Sequence, residues 1–385
     1  MTRKALLSFL ILFASVILSA QTTKRVEEDF DFDWKFSKVE LPEREYEEIV
    51  PGNRPGQPPV PGNRRQSFRR PKERVDMMLP AEKGLELPSF DDSSWEIVQT
   101  PHDWNIKDKF DTESSGSAAS LPEGIGWYRK VFKVPASMKN SSVTILFDGI
   151  FQKSDVYING HHLGHRPNGY VSFMYDLTPY LNKGGDNVLA VRVDHSRYAD
   201  SRWYTGSGIY RDVYLVAAPE VHLSQWGVAY RATKLTDRSA TIEVDVAVDN
   251  HTAQPQKVQA RITMFNAEGK QVATTTKNAV VGAEAYNCQL SIINCQLKSP
   301  HRWNLDDPYL YTLKVELLAE GRVVDATEVR AGLRSLEFSA DKGFALNGKN
   351  MKVKGVCLHH DAGVLGAVVP PEVWRRRIEA LKAMG

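Results

Sequence analysis

The sequence predicts a mainly β protein: two consecutive antiparallel β-sandwiches, then one βα unit of the kind that starts a (β/α)8 barrel. Three observations predict it. Short alternating apolar stretches divided by turn signals run from Phe30 to Leu333. After Pro219 the large polar loops give way to plain alternating strands. Residues 335–385 then end in a helical repeat, with Trp374, Ile378, Leu381 and Met384 spaced by three and four.

The elements follow in order. Arg3 and Lys4, the apolar run Ala5 to Leu18 and small Ser19-Ala20 make residues 1–20 a signal peptide. The expectation is export, to a periplasm or into the medium. The run is too short for a comfortable membrane span. No Cys stands at the cleavage point, so no membrane anchor is expected afterwards. The first sandwich is placed at residues 24–218. FDFDWKF, Phe30 to Phe36, reads as its opening strand, with Trp34 in the core. Residues 42–88 interrupt it with an insertion that repeats VPGNR at Val50–Arg54 and Val60–Arg64. Its prolines and glycines resist a helix or a central strand. It reads as an exposed, partly polyproline segment, either a mobile loop or an arm for a protein partner.

From Phe90 the strand texture resumes. His102-Asp103-Trp104 follows a proline and reads as a rigid extended turn. Val143, Ile145 and Phe147 alternate, and Val156 and Ile158 resume before Asn159-Gly160, a strong hairpin signal because both turn residues must tolerate positive φ. Val188, Ala190, Val191 and Val193 form another strand, and Ile209, Val213 and Leu215 another. Trp127 is expected in the core. The second sandwich, residues 219–334, reads as immunoglobulin-like without a disulfide, and nothing in it clusters for chemistry. Trp303 to Pro308 reads as a loop packed between domains. In 335–385, a hairpin feeds a buried strand ending at Leu358, and His359-His360-Asp361 sits at its C-terminal end. That is where barrel enzymes build their sites.

Composition excludes some classes. The chain has 385 residues, 42% hydrophobic and 25% charged, with a formal charge of +2. A nucleic-acid partner is not expected at that balance, and the run Arg64, Arg65, Arg69, Arg70 is partly offset by Glu73 and Asp76. The three cysteines do not suggest a framework. A single strand would hold Cys288 and Cys295 ~23 Å apart, beyond a disulfide, and Cys357 reads as a buried small hydrophobe.

The loop from Asp194 to Gly208 carries His195, Arg197, Tyr198, Asp200, Arg202, Trp203 and Tyr204. Aromatic rings and forked donors of this kind suit a sugar, whose C–H faces stack and whose hydroxyls need paired partners. With SRWYTGSGIYRDVYL, FDGIFQKSDVYINGHHLGHRPNGY and PHDW in hand, the chain resembles glycoside hydrolase family 2, the family of β-galactosidases, β-glucuronidases and β-mannosidases. The resemblance implies that the first sandwich is a jelly-roll sugar-binding domain and that 335–385 begin a truncated catalytic barrel. It implies retaining hydrolysis by two glutamates ~5–5.5 Å apart, both expected beyond residue 385, so this chain alone is expected to be inactive.

Site residues follow from the same resemblance. Asp194 looks like the loop acid that reaches the sugar or a bound monovalent cation. No cofactor is required, a monovalent or divalent cation being the one addition a full-length enzyme would make. His359 or His360 resembles a barrel histidine contacting sugar hydroxyls, against the reading of a structural pair. Arg202, Trp203 and Tyr204 line the pocket, and Asp103 either fixes a loop or lies near the sugar. Asp194 with Asp200 makes a weak catalytic dyad, since no apolar wall raises either acid. Arg211-Asp212 reads as an ion pair. His359, His360 and Asp361 lack the spacing of a closed zinc shell. The expected partner is a β-galactoside-like glycan, with homo-oligomerisation left open. Three functions compete: the N-terminal part of an exported β-glycosidase, a stand-alone carbohydrate-binding module, and a scaffold fragment. A binding module has no need of a barrel's first strand and helix, which favours the first.

Overall fold

The computed structural model describes residues 25–43, 45–49, 68–72, 78–112, 114–115, 119–197 and 201–385. The signal segment, both VPGNR repeats, Tyr198 and Asp200 lie outside them.

The first sandwich is built from two antiparallel sheets. Strands β1 (Val26–Asp29) and β2 (Trp34–Val39) open it, and Asp33, with φ 58°, separates them. The expected single strand over Phe30–Phe36 forms only from Trp34 onward, and Phe30–Asp33 make the turn between β1 and β2, which join different sheets. β3 (Tyr46–Ile49) and β4 (Phe68–Pro71) pair with each other inside the insertion. β5 (Glu96–Val98), β6 (Gly124–Lys133), β7 (Ser142–Phe147), β8 (Ser154–Ile158), β9 (His161–Arg166), β10 (Phe173–Asp176), β11 (Asp186–His195) and β12 (Val213–Ala218) complete the layer. One sheet runs β1-β12-β7-β10 and the other β5-β2-β6-β11-β8-β9. Asn159 and Gly160 have φ 51° and 83° and turn β8 into β9, with Ile158 opposite His161. Between the sheets lie Trp34, Ile145, Phe147, Val156, Ile158, Leu189, Val191 and Val213, all buried. Residues of one strand parity meet there, as the pleat requires.

The far end of the insertion is not exposed as expected. Pro80–Glu82 forms one 3-10 turn, and Glu82 and Leu85 are buried against the outer face of the six-stranded sheet. The reason is charge pairing, described below.

The second sandwich packs β13 (Val221–Leu235), β14 (Ser239–Asn250), β17 (Ala285–Gln289) and β18 (Ile293–Lys298) against a sheet ordered β16-β15-β19-β20. The latter strands are β15 (Gln256–Phe265), β16 (Gln271–Val281), β19 (Tyr311–Ala319) and β20 (Arg322–Ala331). Its core is apolar, with Ile242, Val244, Ile262, Leu313 and Val315 fully covered. Cys288 and Cys295 sit on β17 and β18 and are free.

The last segment departs from expectation. β21 (Leu336–Ser339), β22 (Gly343–Leu346) and β23 (Lys349–Asn350) form a small sheet, and α1 (Pro371–Met384) is helical with Glu372 in its first turn and Lys382 in its last. No strand forms over residues 351–358, and Val353, Val356, Cys357 and Leu358 are exposed. An apolar strand is held by neighbours on both edges and cover on both faces, and none pairs with it among the described residues. The helix needs only its own backbone bonds. The barrel's first strand is thus absent and Cys357 is not a core residue. The Trp303 loop meets this segment: Asn347 Nδ2 donates to its carbonyl at 3.0 Å, and Arg334 lies over its ring.

Candidate functional site

Asp103 is where the loops of the first sandwich meet the C-terminal segment. It caps the 3-10 turn Trp104–Lys107, so the expected extended turn ends in a helical one, and its Oδ1 accepts from Asn105 N at 3.2 Å. The same oxygen accepts from Ser207 N at 3.0 Å. Its Oδ2 accepts from the Tyr204 hydroxyl at 2.7 Å and from Ala367 N at 3.0 Å. Four donors on a carboxylate that is 1% exposed make it a structural clasp rather than a sugar ligand. Two glycines permit the approach. A Cβ at Gly206 or Gly366 would stand 2.7 or 2.5 Å from Asp103 Oδ2, and both have positive φ. Burial, and then the Asp103 carboxylate it donates to, push the Tyr204 phenol far above its ordinary value. Tyr204 is thus a donor to the clasp.

His102, its neighbour, bonds elsewhere. Its Nδ1 lies 2.8 Å from the Tyr128 hydroxyl, and burial, helped by the Lys107 charge, lowers its proton affinity to about 4.

The clasp brings the C-terminal segment over the loop that follows β11. His360 Nε2 lies 2.9 Å from the Thr205 carbonyl, and its ring meets Tyr170 at 5.4 Å and Tyr210 at 5.5 Å. His359 stands over Trp203 at 5.5 Å, and Trp203 Nε1 donates to the Tyr170 hydroxyl at 3.2 Å. Tyr170 and Trp203 remain 38% and 37% exposed, so each presents part of its ring outward. Arg202 is exposed beside them. On the other side of His360 a cavity of about 380 Å³ is lined by Asp148, Arg211, Asp212 and Trp374 among others. Burial, and then Asp212, raise the Asp148 carboxyl above its ordinary value. Arg211 lies over the Tyr210 ring and Asp212 accepts from Tyr214, rather than pairing with each other. Ring faces beside charged and imidazole groups are the surface a pyranose needs.

Asp194 is elsewhere. β11 alternates, so His195 faces the Phe151 ring and Ser207 while Asp194 joins Ala190 and Arg192 on the outer face. Its Oδ2 accepts from Arg192 Nη2 at 3.1 Å and its Oδ1 from Ser196 N at 3.0 Å. Burial alone would raise its carboxyl, but the Ser196 hydrogen bonds and the Arg192 charge hold it below the ordinary value. A guanidinium already neutralises this acid, so its surroundings do not fit a cation. It lines a separate cavity of about 250 Å³ with Asp155, His162 and His165 among its walls.

Glu82 completes that network. Its carboxylate takes Arg192 through Nε and, at 3.2 Å, through Nη2, and accepts from Trp127 Nε1 at 2.9 Å. Sequence reasoning passed over Glu82 inside a proline-rich stretch, and over Tyr170 and Tyr210. Arg192 between Ala190 and Asp194, on one parity of a central strand, was the available signal for a buried acid.

Comparisons with known proteins agree with this architecture. Residues 88–219 match the sugar binding domain of glycosyl hydrolases family 2, and residues 221–334 match the following domain described as glycosyl hydrolases family 2. The chain is 39% identical over 326 residues to Beta-galactosidase BoGH2A of Bacteroides ovatus, covering 82% of this chain and 38% of that protein. It is 32% identical over 299 residues to a putative beta-glucuronidase of Formosa agariphila, covering 77% of this chain and 28% of the relative. Among solved structures, a beta-glycosidase from Bacteroides vulgatus superposes with TM-score 0.74 at 34% identity, over 93% of this chain and 40% of that one. The chain therefore spans well under half the length of these relatives. With both sandwiches matched in order, it belongs to glycoside hydrolase family 2, of which it represents the N-terminal portion.

Proposed function

We propose that this chain is the substrate-positioning front of an exported retaining β-glycosidase, acting on a β-galactoside-like glycan. The observation that carries the reading is the wall of Tyr170 and Trp203 backed by His359 and His360, set where the sugar binding domain meets the C-terminal segment. Relatives named β-galactosidase and β-glucuronidase support the reaction class. Hydrolysis with retention needs two carboxyl groups ~5–5.5 Å apart, and no carboxyl pair among the described residues is assigned that role. The chain's own contribution is to stack the sugar ring and place its hydroxyls. Export rests on the basic, apolar and small-residue order of residues 1–20.

The test uses purified secreted chain, with a mature N-terminus expected at Gln21. Nitrophenyl β-galactoside and β-glucuronide are expected to stay intact, while galactose quenches tryptophan fluorescence and Trp203→Ala abolishes the quench. Turnover clearly above a mock preparation, or quenching unchanged in Trp203→Ala, would sink the reading.

A further inference from the structure

Away from the aromatic wall, at the joint of the two sandwiches, three ligating side chains converge. β13 and β14 pair with His222 directly opposite Asp249. His251 lies two residues past Asp249, which returns it to the same face. One ligand atom from each of the three falls within 4.8 Å of the others, the only such group among the described residues.

The supporting contacts are those of a built site. His222 Nδ1 lies 2.6 Å from the Pro219 carbonyl oxygen, which can only accept. Nδ1 therefore carries the hydrogen, and Nε2 is the atom turned to Asp249 Oδ2, 3.4 Å away. The other Asp249 oxygen is held by the Ser224 hydroxyl at 2.6 Å and by Asn287 N at 2.6 Å. The His251 ring stacks on His222 at 5.3 Å, meets Tyr286 edge-on at 4.9 Å, and has Nε2 3.4 Å from Ser142 Oγ of the first sandwich. Metal-binding imidazoles characteristically have their second nitrogen engaged by a carbonyl or carboxylate, and ligating carboxylates are likewise held by their free oxygen.

We propose that His222, Asp249 and His251 bind a divalent ion of the zinc class. In a tetrahedral shell with bonds of ~2.0–2.2 Å, neighbouring ligand atoms stand roughly 3.3–3.5 Å apart. The His222–Asp249 separation, 3.4 Å, already has that value. The third ligand atom, within 4.8 Å of the others, closes by up to about 1.5 Å as the His251 ring turns off its stack on His222, because a bound ion lies in the plane of each imidazole. Two imidazoles and one carboxylate favour zinc over calcium or magnesium, which prefer all-oxygen shells. The fourth position is left for water. Ser142 lies on β7, and His251 N donates to the carbonyl of Glu220 in the linker, so a bound ion braces the two sandwiches. The rival arrangement is a metal-free imidazolium on His222 paired with Asp249.

The experiment strips the whole chain with EDTA and titrates Zn²⁺ against a chromophoric chelator. One equivalent is expected to bind, with His251→Ala and Asp249→Asn each weakening it by at least tenfold and His301→Ala, in an exposed pair elsewhere, leaving it unchanged. Zinc-edge X-ray absorption of the unmutated protein is expected to show two imidazoles and oxygen. Absent stoichiometric binding, equal affinity in the three variants, or fewer than two imidazoles in the shell overturns the site. Should the variants fail to fold, the absorption spectrum alone decides.

Discussion

The two sandwiches handle charge in opposite ways. Both inter-sheet clusters are apolar, but the first sandwich also buries Glu82, Arg129, Arg192 and Asp194 under its insertion and Asp103 among its loops. In the second, the buried acidic, basic or imidazole side chains among the described residues are His222, Asp249 and Asp325. Each faces the joint: Asp325 accepts from Arg25, just before β1, at 2.9 Å, and the other two lie by Ser142 through His251. Buried charge costs several kcal/mol per ion unless it is paired and hydrogen-bonded. It is therefore kept where it fixes one arrangement of loops, under the insertion and at the clasp, and where two bodies must be held in register. Among the described residues, the second sandwich behaves as a spacer whose buried charge is at its docking end.

Three measurements break or sharpen that contrast. The largest effect is expected from Glu82→Ala, which takes the two-point carboxylate from Arg192 and the acceptor from Trp127 Nε1 in a dry site and should cost about 3–5 kcal/mol. Urea unfolding followed by the tryptophans of the first sandwich checks it. A loss below about 1 kcal/mol would mean that Asp194 and Asp155 carry Arg192 unaided.

The next concerns His102. Its folded proton affinity is lowered from 6.5 to about 4 by burial. Between those values the unfolded chain binds the extra proton, so stability falls as pH drops from about 6.5 to about 4. Asp31 runs the other way: burial raises it from 3.8 to about 6, so it adds stability as pH falls across that span. The comparison of wild type with His102→Asn isolates the first effect, expected to reach about 3 kcal/mol near pH 4. Parallel pH profiles for the two proteins would refute it.

The smallest effect belongs to the second sandwich. Arg261 pairs with Glu316 at 2.7 Å on an open strand face. Arg261→Ala should cost less than about 1 kcal/mol, because solvent and salt screen such pairs. Chemical denaturation in low and high salt reads it, and a cost matching that of Glu82→Ala would erase the contrast.

Legibility in the sequence followed locality. Strand alternation and the Asn159-Gly160 turn are properties of neighbours, and β8, β9 and β11 form where the pattern put them. The α1 periodicity is equally local. What failed needed partners. Residues 351–358 read as a strand from composition, yet a strand exists only with an edge to bond. Glu82 meets its arginine 110 residues away, and no local pattern in a proline-rich stretch marks that. Resemblance places Asp194 at the sugar, but strand parity turns it to the outer face, which the alternation of Ala190, Arg192 and Asp194 already implies. His222 and Asp249 become neighbours only through the β13–β14 register.

The Asp103 clasp also sets a schedule for synthesis. Its first three donors, from Asn105, Tyr204 and Ser207, are made within about 104 residues, but the fourth, Ala367, is 264 residues downstream. Ser207 and Ala367 are 264 less 104, or 160, residues apart, so a ribosome adding ~5–20 residues per second leaves that carboxylate short of one partner for roughly 8–32 s. During that time the first sandwich must stand without the segment that covers Gly206, and the second sandwich is made in the interval.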